Sequence, residues 1–272
     1  MSGYEHLARA LAACGRDGFT GELRVVGSPG GIFHLGDGRV VAAESPGAPG
    51  PEALLLRSGR VSGEQWAELV RESGGSRWPA TALIAHGYAG AAQLRVVCAM
   101  ALHDAAFAIA AGRVEECERV VTAEPFAQLP LGEPVSKLMQ DAARRLTALT
   151  ALPHPVHPDR ERPVRVGTED GLSILRRELF THADGRCTAR DLAFRVGRGV
   201  YIVTVEVSRM LHEGLLVCVE EPDPIPVRVI PDGQALRQRD PVPMESAPPR
   251  ERADLPRRKP GNFFRLRNGT PK

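Results

Sequence analysis

LSILRRELFTHADGRCTARDLAFRVGRGVYIVTVEVSRMLHEGLLVCV, residues 172 to 219, decides how this chain is read. Leu172, Leu175 and Leu179 recur at helical spacing and place one face inward,. Asp184-Gly185-Arg186 makes a turn. Thr188 then opens a second helix as N-cap, and Asp191 stands three residues on, the capping-box spacing with Asp in place of Glu or Gln,. Leu192, Ala193 and Val196 are its inward residues, and Gly197-Arg198-Gly199 is the next break. A third helix carries Val200, Val203, Val207, Met210 and Leu211 on one side. Leu215 to Val219 changes to a β-rich run.

Helix, helix, glycine-containing turn, helix, strand is the order of a helix-turn-helix with a wing. The words TARDLAFRVGR, VYIVTVEVSRMLHEGLL and EGLLVCV resemble a winged-helix domain of the MarR-like kind. The resemblance implies that the third helix enters a major groove of duplex DNA. Tyr201, Thr204, Ser208 and His212, opposite its apolar face, would then read bases, with Arg209 on the flank,. Phosphate contacts would come from Arg176, Arg177, Arg186, Arg190 and Arg198. Thr188 and Arg190 open the second helix, where the dipole favours a phosphate. Residues 160–215 hold ten Arg against eight acidic residues, nearly neutral for a surface that must displace phosphate counterions,. The function expected is therefore a DNA-binding transcriptional regulator, and beside it stands a non-enzymatic interaction scaffold of a bacterial small-GTPase or polarity-type signalling pathway, in which the winged helix serves protein contact or dimerisation.

Upstream, the period changes. Tyr4 to Cys14 is a short amphipathic helix. Residues 19–26, 32–35 and 39–43 alternate as strands, with Gly36-Asp37-Gly38 as a tight hairpin,. The words GFTGELRV (18–25) and GGIFHLGDGRVVAAESP (30–46) resemble the PATAN domain, a bacterial interaction and signalling module without a catalytic centre. Helices follow over 52–56, 62–72, 81–87 and 91–111, with Ser62 and Gln65 at capping-box spacing. Residues 113–122 read as a further strand, and 136–149 as a helix whose outer face is Lys137, Arg144 and Arg145.

The fold class expected is α+β: an N-terminal antiparallel meander with helices, then a winged helix-turn-helix domain and a disordered basic tail. The boundaries are 1–150 for the first domain, 151–167 for a Pro-rich linker, 168–230 for the winged helix, and 231–272 for the tail. The tail ends in a cationic stretch, 257–267, interleaved with Phe263 and Phe264,.

Several function classes drop out. There is no G-x-S-x-G, no H-E-x-x-H and no phosphate-loop lysine, so no enzyme is expected, and no cofactor,. His154 and His157 have ligand-like spacing but sit on a proline-rich loop without a carboxylate cage, so no metal is expected. His103-Asp104 lies within an alanine-rich helix, where one member can face inward as a satisfied polar group. Five cysteines without C-x-x-C spacing read as reduced thiols of a cytoplasmic protein,. The apolar run 96–111 is too short to span a bilayer. Partners expected are duplex DNA, a protein bound through residues 1–150, and a second copy in a homodimer, with no membrane.

Overall fold

Two short-range periods build the N-terminal third. The computed structural model describes residues 3–124 and 126–219. α1 (Gly3–Arg16) buries Leu7, Leu11 and Cys14, about one turn apart,. β1 (Gly21–Ser28), β2 (Gly31–Gly36) and β3 (Arg39–Glu44) follow as antiparallel hairpins. Asp37 and Gly38 join β2 to β3 at φ 50° and 72°, the left-handed region that glycine enters without a Cβ clash,. Leu23, Phe33 and Ala43 lie opposite one another in register and enter the main core. A bulge opposite His34 leaves the Val41 carbonyl free to accept the amides of Gln128 and Leu129,.

Four helices come next: α2 (Pro51–Arg57), α3 (Gly63–Glu72), α4 (Ala80–Ala85) and α5 (Ala91–Ala111). The Ser62/Gln65 capping box forms in both directions,. α5 is apolar all round rather than striped, the mark of a helix surrounded on several sides,. Its first half joins a small core with Leu55, Trp66, Leu69 and Leu83. Its second half, with Leu102, Ala106, Phe107 and Ile109, joins the main core under the sheet. α5 has the bounds 91–111 that the sequence reading gives, and its 21 residues exceed the apolar run within it. By length and composition it could cross a membrane, and 61% of its most apolar window is buried inside the fold.

β4 (Arg113–Val121) pairs with β1 and forms one edge of a five-stranded sheet, order β4-β1-β2-β3-β5. β5 is only Glu133–Pro134, which the sequence reading does not anticipate, and it leads into α6 (Val135–Thr150). One expectation for α6 is corrected. Arg145 is not on an outer face: it reaches inward to Asp141 at 2.8 Å and towards Asp104 at 3.7 Å.

The expected linker is also corrected. Residues 151–167 do not run free between two domains. Val156 is 5% exposed and belongs to the main core, with Leu152 packed against it. His157 Nε2 lies 2.9 Å from the Ala111 carbonyl. β6 (Arg162–Arg165) then pairs antiparallel with β7 (Leu216–Val219) in a second, two-stranded sheet. Between them run α7 (Ile174–His182), α8 (Ala189–Val196) and α9 (Val200–His212). The Thr188/Asp191 capping box forms, and Gly197 ends α8 in the left-handed conformation,. The structure is therefore α+β, with the apolar residues of both halves in one main core. The tail at 231–272 and a strand expected over 227–230 lie outside the described residues.

Candidate functional site

The two places to look are the polar side of α9 and a wide groove beside the β1–β2 hairpin. On α9, Val200, Val203, Val207 and Met210 are fully buried, as their spacing predicts. The flank beside that stripe is closed as well, and the open side is that of Ile202 and Arg209,. Thr204 and Ser208 are both 0% exposed. Thr204 Oγ1 donates to the Val200 carbonyl one turn back, and Ser208 Oγ donates to the His154 carbonyl. Tyr201 meets Phe107 of α5 edge to face, ring centroids 5.3 Å apart, and the Arg145 guanidinium lies 5.1 Å from its ring centre,. Exposure of Tyr201, Thr204 and Ser208 as a reading surface is thus corrected: α5, α6 and the 151–158 segment occupy that side.

The anchor is Asp104, 4% exposed, on α5. Its carboxylate accepts the backbone N–H of Val200 and, at 3.0 Å, that of Tyr201. Gly199, at the N-cap, has no side chain to cap these amides, so a carboxylate 95 residues away in sequence does so,. Burial pushes the Asp104 carboxyl upward. The two backbone donors and Arg145 oppose that shift without cancelling it,.

Most of the other predicted contacts are also committed within the chain. Arg176 bonds Glu206 at 2.8 Å and Glu213 at 2.7 Å. Arg209 bonds Glu206 at 2.7 Å, and Arg190 bonds Asp159 at 3.1 Å. These contacts hold Glu206 below its ordinary pKa despite burial. Thr188 is buried in its capping box. His212 is exposed, its ring 5.6 Å from that of His154. Arg177 donates to the Leu172 carbonyl. Arg186 and Arg198 are exposed, with no ion pair to another described residue. Of the eleven predicted positions, Arg186 and Arg198 are the two that remain uncommitted cations, too few for a phosphate track.

The groove lies elsewhere. It has a volume of about 1020 Å³ and runs between the β1–β2 hairpin, the 45–51 loop and α3. Ala101 and Ala105 of α5 also line it. Trp66, Trp78 and Phe126 supply aromatic surface, and Phe194 of α8 adds to it from the C-terminal half. The chain has only two tryptophans, and both are here, ring centroids 6.0 Å apart. Neither indole N–H donates to another described residue. The rim is ion-paired: Arg24 with Glu22 at 3.0 Å, and Arg77 with Glu44 at 2.5 Å. Arg77 also stacks over Phe126, its guanidinium carbon 4.6 Å from the ring centre. Beneath Phe126 sits His34, 2% exposed, with neither ring nitrogen hydrogen-bonded. Burial lowers its pKa, and Glu44 and Glu22 resist,. Sequence reasoning missed this groove. Its walls come from segments as far apart as residues 24 and 194, and no local motif marks it.

Catalytic arrangements are sparse. His103 Nδ1 lies 3.0 Å from Asp141, but Glu133, at 3.8 Å, is what faces its other nitrogen, so the pair ties α5 to α6 and activates no nucleophile,. Among the described residues no three His, Cys, Asp or Glu side chains converge as a metal cage. All five cysteines are free; burial raises Cys98 to about 12, where it is not a nucleophile at neutral pH,. No family model, curated protein or solved structure matches this chain.

Proposed function

We propose that the chain is a non-enzymatic interaction adaptor whose Trp66–Trp78 groove receives a short apolar segment of a partner protein. The groove carries this reading. Its volume is at the upper end of the range for ligand sites, its surface is largely aromatic and aliphatic, and Arg24, Arg77 and Glu44 on its rim are already ion-paired, which leaves Glu52 as the charge without a pair among the described residues,. A peptide that fills it leaves those two arginines and Glu44 paired. The likeness of residues 1–150 to an interaction module, and the free thiols suited to a reducing cytoplasm, point the same way,. Because both tryptophans line the groove, intrinsic fluorescence reports occupancy directly. An arrayed library of short peptides should contain sequences that shift the emission of the full chain, and Trp78→Ala should abolish capture of those sequences. Peptide capture that survives Trp78→Ala would remove the groove from the proposal.

A second reading is a winged-helix DNA-binding regulator, active as a homodimer, with its reading side closed. The order α7–α8–α9 beside the β6–β7 sheet favours it, as does the polar character of the covered side of α9. Anisotropy of a labelled random duplex at two salt concentrations tests it, because phosphate contacts must weaken as salt rises.

A further inference from the structure

We propose that the segment received by the Trp66–Trp78 groove is proline-rich and lies there as a polyproline II helix; this rests on the groove reading above. The polar groups of the lining select the ligand's backbone. The indole N–H groups of Trp66 and Trp78 donate to no other described residue. Gln128 lines the same groove, and its Oε1 is buried with no donor. Its backbone N–H is held by the Val41 carbonyl at 3.1 Å, which fixes where that side chain starts. Among the described residues the groove thus offers a ligand two neutral side-chain donors against one neutral side-chain acceptor. An α-helix cannot answer them, because its backbone groups bond within the helix. A β-strand brings as many N–H groups as carbonyls. A proline-rich chain brings a carbonyl at every residue but an N–H only at its non-proline residues, and polyproline II uses none of them internally. Its carbonyls suit the two indoles, and one non-proline N–H suits Gln128. The walls agree. The indole planes are inclined by 49°, and Phe126 adds a third ring, so pyrrolidine rings meet flat apolar surface,. Polyproline II is also stiff before it binds, so little order is lost on docking. Glu52, in the first turn of α2, lines the groove without an ion pair among the described residues, and suits an arginine at one end of the ligand,.

The test titrates the full chain into a labelled peptide of four Pro-Pro-Ala repeats ended by one arginine, read by anisotropy and by tryptophan emission. A helical leucine–alanine peptide of equal length, with the same terminal arginine, is the comparison. The proline peptide should shift the emission and bind at least about tenfold more tightly than the helical one. Trp78→Phe keeps a ring but removes the N–H, and Gln128→Met keeps the bulk but removes the acceptor. Each should weaken the proline peptide by about twofold to tenfold, the worth of one neutral hydrogen bond. Glu52→Gln should bring that peptide down to the affinity of the same peptide without arginine. Undiminished affinity in both Trp78→Phe and Gln128→Met overturns the proposal. Equal or tighter binding of the helical peptide, lost in Trp78→Ala, overturns the polyproline ligand and leaves the groove standing. Failure of the proline peptide to bind at all also overturns it, and the arrayed library then decides the groove by itself.

Discussion

His34 is the residue whose environment is least satisfied. Its ring lies between the strands below and Phe126 above, 2% exposed, with no hydrogen-bond partner for either nitrogen. The groups facing it are Glu22 across the strand pair, with Nδ1 to Oε1 at 3.7 Å, and Glu44 and Arg77 on the rim. Burial outweighs the two carboxylates, so the folded-state pKa lies below the ordinary value of 6.5,. The unfolded chain therefore binds the proton first as pH falls. The stability this group contributes is present above about pH 6.5 and is lost through the folded-state pKa, at no more than about 1.4 kcal/mol per pH unit. Urea unfolding of the chain and of His34→Leu between neutral and mildly acid pH checks this. The difference in stability between the two should shift in favour of the leucine variant on acidification; parallel curves refute it. The sequence could not show this. His34 sits in an alternating run like any half-buried strand residue, and a segment ninety residues away covers it. Arg145 was illegible in the same way, since it reads as part of an outer helix face. The sequence allows one inward polar member at His103-Asp104, and that member is Asp104; its partners, the amides of Val200 and Tyr201, are fixed only in three dimensions.

At the scale of elements, local rules were legible and distant pairing was not. Ser62/Gln65 and Thr188/Asp191 each form a reciprocal capping box because both partners lie within one turn,. Period alone found the apolar stripe of α9 but set Thr204 and Ser208 opposite it, whereas they border it and the open side carries Ile202 and Arg209,. Nothing in the helix encodes what covers Thr204 and Ser208. β6 was missed because four residues after a proline-rich run show no readable alternation, and β7 lies fifty residues on,. The α8–α9 turn shows how tertiary packing sharpens a local signal. Gly197 has φ 64°, and a Cβ there would stand 2.1 Å from the Arg57 Cβ of α2. Gly197→Ala carries both backbone strain and a clash, so it should destabilise by about 1–3 kcal/mol from the strain alone and more from the overlap. Arg57→Gly should relieve only the overlap. Chemical denaturation of the single and double variants separates the two contributions. Full rescue by the Arg57 change would show that the backbone conformation costs nothing.

The whole molecule is arranged along α5. Its second half lies in the core that unites the sheet, α1, α6 and α7–α9; its first half serves a smaller core of Leu55, Val61, Trp66, Leu69, Ala82, Leu83, Ala89 and Leu94. The smaller core has no sheet beneath it and buries far less apolar surface, so its opening free energy lies below that of the rest. The shared helix can remain folded when α2–α4 detach, because its second half keeps its own contacts. Both tryptophans, Trp66 and Trp78, pack in or against that smaller core, whereas most helix and strand lies outside it. Fluorescence and far-UV circular dichroism therefore watch different parts of the molecule. In urea, the tryptophan transition should come at a lower midpoint than the dichroism transition, and the gap should widen in Leu83→Ala, which leaves a cavity in the smaller core alone. Groove occupancy should close the gap, since a ligand that touches Trp66 of the smaller core and Ala43 and Ala105 of the main core binds only when both are folded,. Coincident transitions in the unaltered chain would mean that α5 couples the two cores into one cooperative unit. The groove would then be a rigid site rather than one bounded by a wall that opens on its own.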